Sequence, residues 1–432
     1  MLILHSRWRR NNEEKRMNRG LGINKQYLIF LLLFYFFISK NWLEQYWSFI
    51  GYGDELVALL AIPIFIIKLY KNHFLLKIHG GGYGKCIAIF IISGLLGNVV
   101  YQYQSFFKVA VPDAFLCLKF WLALYVGKNV LSRFSIRRYA KKIYNHVRFV
   151  TAIYVICCFF DLKFHLFKAS IRYGMRCTQL MYSHSTVFVA CCVFLIGILL
   201  AVSNYNNDWK KCLGVLLFLM CTTLRSKAWG IAIAIVLICY FTFYRRKKIT
   251  IKTLLLFVPL VVALAWNQIY YYFFSSIQGD SARYQLLINS FKVIKDHFPI
   301  GSGFGTYASY YSGKYYSPIY SSYGLTGIYG LTRDNTSFIS DSFWPMVFAQ
   351  TGLIGTVAFG FALLRLFKQI QKIRITSMAF YASAISVLSY LLIASTAESA
   401  FVHPVAIPIA LWLGIIMNQD TFDVEGGNHP NG

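Results

Sequence analysis

The most informative residues of this chain are charged side chains at the edges of long apolar runs. The triplet Arg225-Ser226-Lys227 separates two apolar segments with almost no loop between them. An ionisable group beside hydrocarbon is costly unless it is paired or faces water. Arginine suits a phosphate because its planar guanidinium donates two parallel hydrogen bonds. The triplet therefore predicts an anion site in a tight turn, and the alternative is an interfacial pair that extends to water.

A second group of basic residues lies in the segment 162–183, just before Ser183-His184-Ser185 opens another apolar run. It contains Lys163, His165, Lys168, Arg172 and Arg176. Basic residues are disfavoured in loops on the outer face of a membrane. Their presence here predicts a site for phosphate or an acidic sugar, with Arg172 and Arg176 as the best candidate ligands. A solvated loop, or contact with lipid headgroups, is the alternative.

The largest gap in the apolar pattern runs from Asn267 to Asp341 and is polar and rich in tyrosine. Within it, apolar residues from Tyr284 to Phe298 recur at spacings of mostly three and four, which predicts an amphipathic helix. Asp280 or Ser281 can cap its start. Arg283 then lies in the first turn, where free N–H groups and the helix dipole already favour an anion.

Two further features follow this helix. The run Pro299-Ile300-Gly301-Ser302-Gly303-Phe304-Gly305 could wrap a phosphate, but without a preceding β-strand a flexible turn is the better interpretation. Tyrosines spaced with Ser and Gly then fill 307–329, including Tyr315 and Tyr316. An aromatic face with a hydroxyl suits a sugar ring, and an interfacial tyrosine belt is the alternative.

The elements that must position these residues are membrane-spanning helices. The chain is 57% hydrophobic and only 14% charged, whereas soluble domains are about 25% charged. Apolar runs that cross hydrocarbon must be helical, because every backbone polar group has to be satisfied within the segment. We expect an all-α polytopic integral membrane protein with about twelve spans. The expected spans are 24–41, 54–70, 86–103, 109–127, 147–161, 184–202, 212–224, 228–244, 253–267, 342–364, 377–394 and 401–417.

The formal net charge of +27 sets topology rather than binding nucleic acid, because most of the basic residues fall in alternate loops. This bias predicts cytoplasmic termini in the tails 1–25 and 418–432. Helices one to nine then occupy 26–267, a large periplasmic loop occupies 268–341, and the last three helices occupy 342–417. The ten cysteines form no CxxC metal pattern and read as packing residues.

The architecture and three local patterns resemble the O-antigen polymerase and O-antigen ligase superfamily of bacterial membrane glycosyltransferases. The patterns are Arg225 at an outer helix end, Asp280-Ser-Ala-Arg283 followed by the amphipathic helix and glycine-rich turn, and Asp341-Ser342. After Asp341-Ser342 come nine residues and then Gly352-Leu-Ile-Gly355. The ligase-type motif has His where this chain has Asp341, and Leu where it has Thr356, so the resemblance favours a polymerase.

This resemblance implies an enzyme that joins undecaprenyl-diphosphate-linked oligosaccharides in the cytoplasmic (inner) membrane. Asp341, Arg225 and Arg283 would be catalytic. Arg172, Arg176, Lys227, Asp280, Tyr315 and Tyr316 would bind substrate. It implies no metal or other cofactor, membrane lipid and a chain-length regulator protein as partners, and no nucleic acid. The alternatives are a ligase that transfers glycan to lipid A core, and a flippase for the lipid-linked oligosaccharide, whose charges would be Asp113 and Lys119 within a span. Asp341 could also be only a helix cap.

Overall fold

A computed structural model of the chain describes residues 25–71, 82–131, 134–250, 270 and 281–419. Its α-helices are α1 Lys25–Glu44, α2 Gly53–Leu59, α3 Ala61–Lys71, α4 Tyr83–Tyr101, α5 Val111–Val130, α6 Ile136–Phe164, α7 Ser185–Ala201, α8 Trp209–Cys221, α9 Ser226–Cys239, α10 Ala282–Asp296, α11 Tyr310–Lys314, α12 Ile319–Ser322, α13 Phe343–Thr376, α14 Met378–Ala394 and α15 Ala406–Asn418. Short 3₁₀ turns cover Ser48–Tyr52 and Ser203–Tyr205, and π turns cover Phe106–Ala110 and Tyr240–Tyr244. The antiparallel strands β1 Ile171–Arg172 and β2 Met175–Arg176 form one hairpin. The all-α expectation is confirmed for the described residues.

The expectation of twelve spans is wrong in number. Within the described residues, six helical stretches are long and apolar enough to cross a membrane, and α7, α14 and α15 are shorter apolar helices. The predicted span 147–161 is the second half of α6, whose first half is basic and amphipathic. The predicted span 212–224 falls on α8, which has only 13 residues. The predicted span 253–267 lies outside the described residues. The fold is that of a multi-pass membrane protein.

The helices pack closely at small residues, as is usual in a membrane, where the hydrophobic effect does not drive helices together. A Cβ at Gly127 of α5 would lie 2.2 Å from the Leu411 carbonyl oxygen, and one at Gly414 of α15 would lie 2.4 Å from the Leu124 carbonyl oxygen. α5 and α15 therefore touch backbone to backbone. α7 is buried along almost its whole length, and Ser383 of α14 donates to the carbonyl oxygen of Gly197 at its centre.

The glycine-rich turn after α10 packs against three helices. The backbone N–H of Phe304 donates to Asn98 Oδ1 of α4 at 2.7 Å, and the backbone N–H of Gly305 donates to Asp113 Oδ2 of α5 at 2.7 Å. Gly301 has a φ of +81°, and a Cβ there would lie 2.3 Å from the Gly352 nitrogen. The N–H groups that a phosphate would need are already bonded to the helices. The turn therefore fixes the 281–342 region onto α4, α5 and α13.

The charged residues within α5 do not pair with each other. Asp113 accepts a hydrogen bond from the backbone N–H of Gly305 in the glycine-rich turn. Lys119 instead bonds to Asp54 at 2.5 Å, and Asp54 also accepts from Lys40 at 2.8 Å. All three members of this Lys40–Asp54–Lys119 group are buried. Each of these two charges therefore has its partner on another segment of the chain.

Candidate functional site

Four helix ends meet at one end of the bundle. α7 starts after His184, α9 starts after Arg225, and α13 starts just beyond Asp341. α14 runs the opposite way and ends at Ala394, shortly before Glu398. The polar and charged groups at and beside these ends form the cation cluster, which comprises Arg172, His184, Arg225, Lys227, Arg283, Asp341 and Glu398.

Arg225 lies at the centre of the cation cluster in the turn between α8 and α9. Its Nε donates to Ser185 Oγ at 2.8 Å, and its Nη2 donates to His184 Nε2 at 2.9 Å. Both acceptors are uncharged, and within the described residues no carboxylate forms an ion pair with Arg225. Its guanidinium is therefore held in place while its positive charge stays available for an anion.

His184 is the cap residue before α7 and is kept neutral. An arginine can only donate, so His184 Nε2 must be the unprotonated nitrogen. Its Nδ1 then carries the hydrogen and can donate to Thr186 Oγ1 at 2.8 Å. The ring keeps an accessible edge. Partial burial, and next the positive charges of Arg225 and Lys227, lower the pKa of His184 to about 4. At neutral pH the ring therefore acts as an acceptor that orients Arg225.

Two other cations in the cluster are each paired with a carboxylate. Lys227, in the first turn of α9, forms an ion pair with Glu398. Arg283, in the first turn of α10, lies 3.0 Å from an oxygen of Asp341. The two carboxylate-bearing turns are tied together, because Ser399 Oγ donates to the Ser340 carbonyl oxygen at 2.6 Å. The 281–342 region and the α14–α15 connection therefore share one side of the cluster.

Asp341 is not the cap of α13. The N-cap of that helix is Ser342, and the side chain of Asp341 is directed to Arg283 instead. About a third of the side chain is exposed. A capping role therefore does not account for this carboxylate.

The hairpin places the two candidate arginines, Arg172 and Arg176, in different surroundings. Tyr173 and Gly174 both have positive φ in its two-residue turn, as a tight hairpin requires. On β1, Arg172 lies close enough to affect the pKa of both His184 and Arg225. On β2, Arg176 bonds to Asp161 at 3.1 Å and to the Phe167 carbonyl oxygen. Arg172 therefore belongs to the cation cluster, whereas Arg176 anchors the hairpin to the end of α6.

The remaining candidate residues lie apart from these contacts. Tyr316 donates to the Leu331 carbonyl oxygen at 2.9 Å, and the ring of Tyr315 lies 5.1 Å from Lys108 Nζ. Tyr307 and Tyr320, from the same tyrosine-rich stretch, are fully buried and form the core of the 281–342 region. Asp280 lies outside the described residues.

Sequence reasoning missed Glu398 and the role of His184. Glu398 lies in a short connection between two apolar runs, Ser-Thr-Ala-Glu398-Ser-Ala. An acidic residue in so short a connection at a bilayer edge is a signal that could have found it. His184 was visible only as the residue that opens a span, and nothing in the local sequence indicates that it contacts Arg225.

The cation cluster can bind an anion and move a proton. Its four cations and two carboxylates leave a formal charge of +2 when His184 is neutral. Within the described residues, no group of three or more His, Cys, Asp or Glu side chains is placed to hold a metal ion. Comparison with protein-family models and with curated proteins gives no match for this chain.

Proposed function

We propose that the chain is a membrane glycosyltransferase that joins polyprenyl-diphosphate-linked oligosaccharide repeat units on the outer face of the bacterial cytoplasmic membrane. In this proposal the termini are cytoplasmic and the cation cluster faces outward. The observation that carries it is the convergence of Arg172, Arg225, Lys227 and Arg283, which are far apart in sequence, at one end of the bundle.

The charge of the cluster matches the leaving group of such a reaction. A polyprenyl diphosphate is a compact anion at the membrane surface, and its negative charge grows as the glycosidic carbon departs. Fixed arginines stabilise that growing charge without reorganising. Arg225 is the best-placed ligand because only neutral groups hold it, and Arg283 and Lys227 can turn from their carboxylates toward the bound diphosphate.

The bond changes are simple. The bond between the anomeric carbon and the diphosphate oxygen breaks, and the electron pair leaves with the polyprenyl diphosphate. A hydroxyl oxygen of the acceptor sugar forms the new bond, and its proton passes to a carboxylate. We assign this proton to Asp341, because about a third of its side chain is exposed and can be reached by an acceptor hydroxyl. Glu398, between the helix ends, holds Lys227.

The packing of the intramembrane charges favours an enzyme over a flippase. A flippase needs charged groups facing a cavity that spans the bilayer. Asp113 is bonded to the glycine-rich turn, and Lys119 is bonded to Asp54, so both are committed to structural contacts. A ligase would use the same donor chemistry with lipid A core as acceptor, and it differs from a polymerase in the acceptor alone.

The glycan profile of a deletion strain tests the assignment. Single repeat units attached to lipid A core, with polymer restored by the wild-type chain, are the result expected for a polymerase. Long lipid-linked chains that never reach the core would replace the proposal with a ligase. Loss of all outward-facing lipid-linked repeats would replace it with a flippase.

A further inference from the structure

A cavity of about 380 Å³ lies at the end of the bundle opposite the cation cluster. Its walls come from the far ends of the same helices: Ala201 at the end of α7, the π turn after α9, the end of α13 and the start of α14. α7 alone, with 17 residues, separates the two ends by about 25 Å. The volume falls in the range of ligand pockets, roughly 300–1,000 Å³.

The chemistry of this cavity is that of an anion site. Arg137 and Arg246 line it, and Thr376 and Ser377 add hydroxyls. Among the described residues that line it there is no carboxylate. Ser377 is the N-cap of α14, so the positive end of a 17-residue helix also faces this region. We call it the arginine cavity.

Two contacts hold parts of the lining of the arginine cavity in place. Arg374 donates to the Arg246 carbonyl oxygen at 2.7 Å and so fixes the backbone that carries Arg246, which has a φ of +48°. The guanidinium of Arg137 lies 5.9 Å from the ring centroid of Phe380, another lining residue. The side chain of Arg137 therefore packs near the wall, whereas only the backbone of Arg246 is held.

The wall of the arginine cavity also contains Thr242, whose hydroxyl lacks a hydrogen-bond partner. Thr242 is fully buried, and its Oγ1 has no hydrogen-bond partner in the described structure. An unsatisfied buried hydroxyl costs about 1–3 kcal/mol, so such groups usually have a partner. The hydroxyl is therefore an unfavourable group in the cavity wall, and an apolar side chain of the same shape should stabilise the protein.

We propose that the arginine cavity binds a phosphate group, either the headgroup of an anionic phospholipid or free phosphate. Phosphate oxygens accept from arginine forks, hydroxyls and helix N-termini alike. Basic pockets between membrane helices on the cytoplasmic side are suited to anionic headgroups. The cytoplasmic location of the arginine cavity rests on the topology proposed above, whereas the phosphate site itself rests on the residues that line the cavity.

The test uses the full chain, purified and stripped of lipid, with two probes. Nanodiscs of phosphatidylglycerol and phosphatidylcholine report lipid retention by native mass spectrometry, and inorganic phosphate reports a thermal shift. The variants are Arg137→Gln/Arg246→Gln and Thr242→Val, and Arg245→Gln is the matched control, an exposed arginine that does not line the cavity.

We expect the double variant to lose about tenfold in affinity for at least one probe, while Arg245→Gln binds as wild type does. Selective retention of phosphatidylglycerol identifies a headgroup, and a phosphate-dependent shift without lipid retention identifies free phosphate. Thr242→Val keeps the shape of the side chain, so it should fold normally, melt slightly higher without ligand and bind both probes as wild type does. Equal binding of both probes by wild type and the double variant would overturn the proposal.

Discussion

The cation cluster and the arginine cavity occupy opposite ends of the same helices, and both are rich in basic side chains. The cation cluster also contains Asp341, Glu398 and the neutral His184. The arginine cavity has hydroxyls instead, with no carboxylate among its described lining residues. Positive charge alone can hold an anion at either end. Only the cation cluster also has groups that can take up a proton beside the bound anion, so we place the chemistry there.

The two ends also differ in how their arginines are held. At the cation cluster, Arg225 is fixed by two neutral acceptors, at 2.8 Å and 2.9 Å, so its charge is directed into the site. At the arginine cavity, the Arg246 side chain is exposed and only its backbone is fixed by Arg374. A preorganised cation is what stabilises a transition state, and the guanidinium of Arg225 is held by two side-chain acceptors in this way.

The largest expected effect comes from the carboxylate that distinguishes the cation cluster. Asp341→Asn keeps the size of the side chain and a hydrogen bond to Arg283 but removes proton affinity. Glycan elongation by the purified protein should fall by about 10²–10⁴, the usual cost of losing a general base. Asp334→Asn, in an exposed part of the same region, is the control and should elongate normally. Normal elongation by Asp341→Asn would remove Asp341 from the chemistry.

A smaller but still large effect is expected from Arg225→Lys. Lysine keeps the charge but cannot reproduce the planar fork, and it loses one of the contacts to His184 and Ser185. The elongation rate should fall by about 10²–10³, comparable to losing one preorganised donor to a developing charge. Arg245→Lys, at the other end of the bundle, is the matched change. Similar rates for the two variants would show that Arg225 does not act as a fork.

The smallest expected effect comes from His184→Gln, whose amide oxygen can still accept from Arg225. Elongation should stay within about tenfold of wild type, because the glutamine oxygen retains the charge-assisted hydrogen bond from Arg225. The pH dependence of stability is the sharper measurement. The folded-state pKa of His184 is lowered to about 4, so between roughly pH 6.5 and 4 the unfolded chain binds a proton that the folded chain does not.

The melting temperature of the wild type should therefore fall more steeply than that of His184→Gln as the pH is lowered from about 6.5 toward 4. Both proteins share every other titrating group, so the difference between the two curves reports His184. Parallel curves would mean that the ring is not held neutral beside Arg225.

The sequence predicted the helices and the charges better than their contacts. Apolar runs and the spacing from Tyr284 to Phe298 predicted a helix that the structure contains as α10 Ala282–Asp296. The number of spans was overestimated because hydropathy alone cannot distinguish a short packed helix such as α8, or a half-basic one such as α6, from a clear span. Burial against neighbours, which sequence does not give, decides those cases.

Contacts between distant residues were beyond what spacing can predict. The charges Arg172, Arg225, Lys227 and Arg283 were visible in sequence, and the fold brings them together. The ion pair of Lys227 with Glu398, which is 171 positions away, was not visible in the sequence. The ion pair of Arg176 with Asp161 was not visible either. These pairings depend on which helix ends meet, and that is fixed by packing across the bundle.

The most direct test of the central claim compares paired arginine removals at the two ends of the bundle. Arg225→Ala/Arg283→Ala removes two of the four cations of the cation cluster. Arg138→Ala/Arg245→Ala removes two exposed arginines from the opposite end that do not line the arginine cavity. Each variant would replace the wild-type chain in cells at matched protein levels, and the length distribution of the surface glycan would be measured. We predict single repeat units for the first variant and the wild-type distribution for the second. Wild-type chain lengths from Arg225→Ala/Arg283→Ala would contradict the assignment of the diphosphate site to the cation cluster.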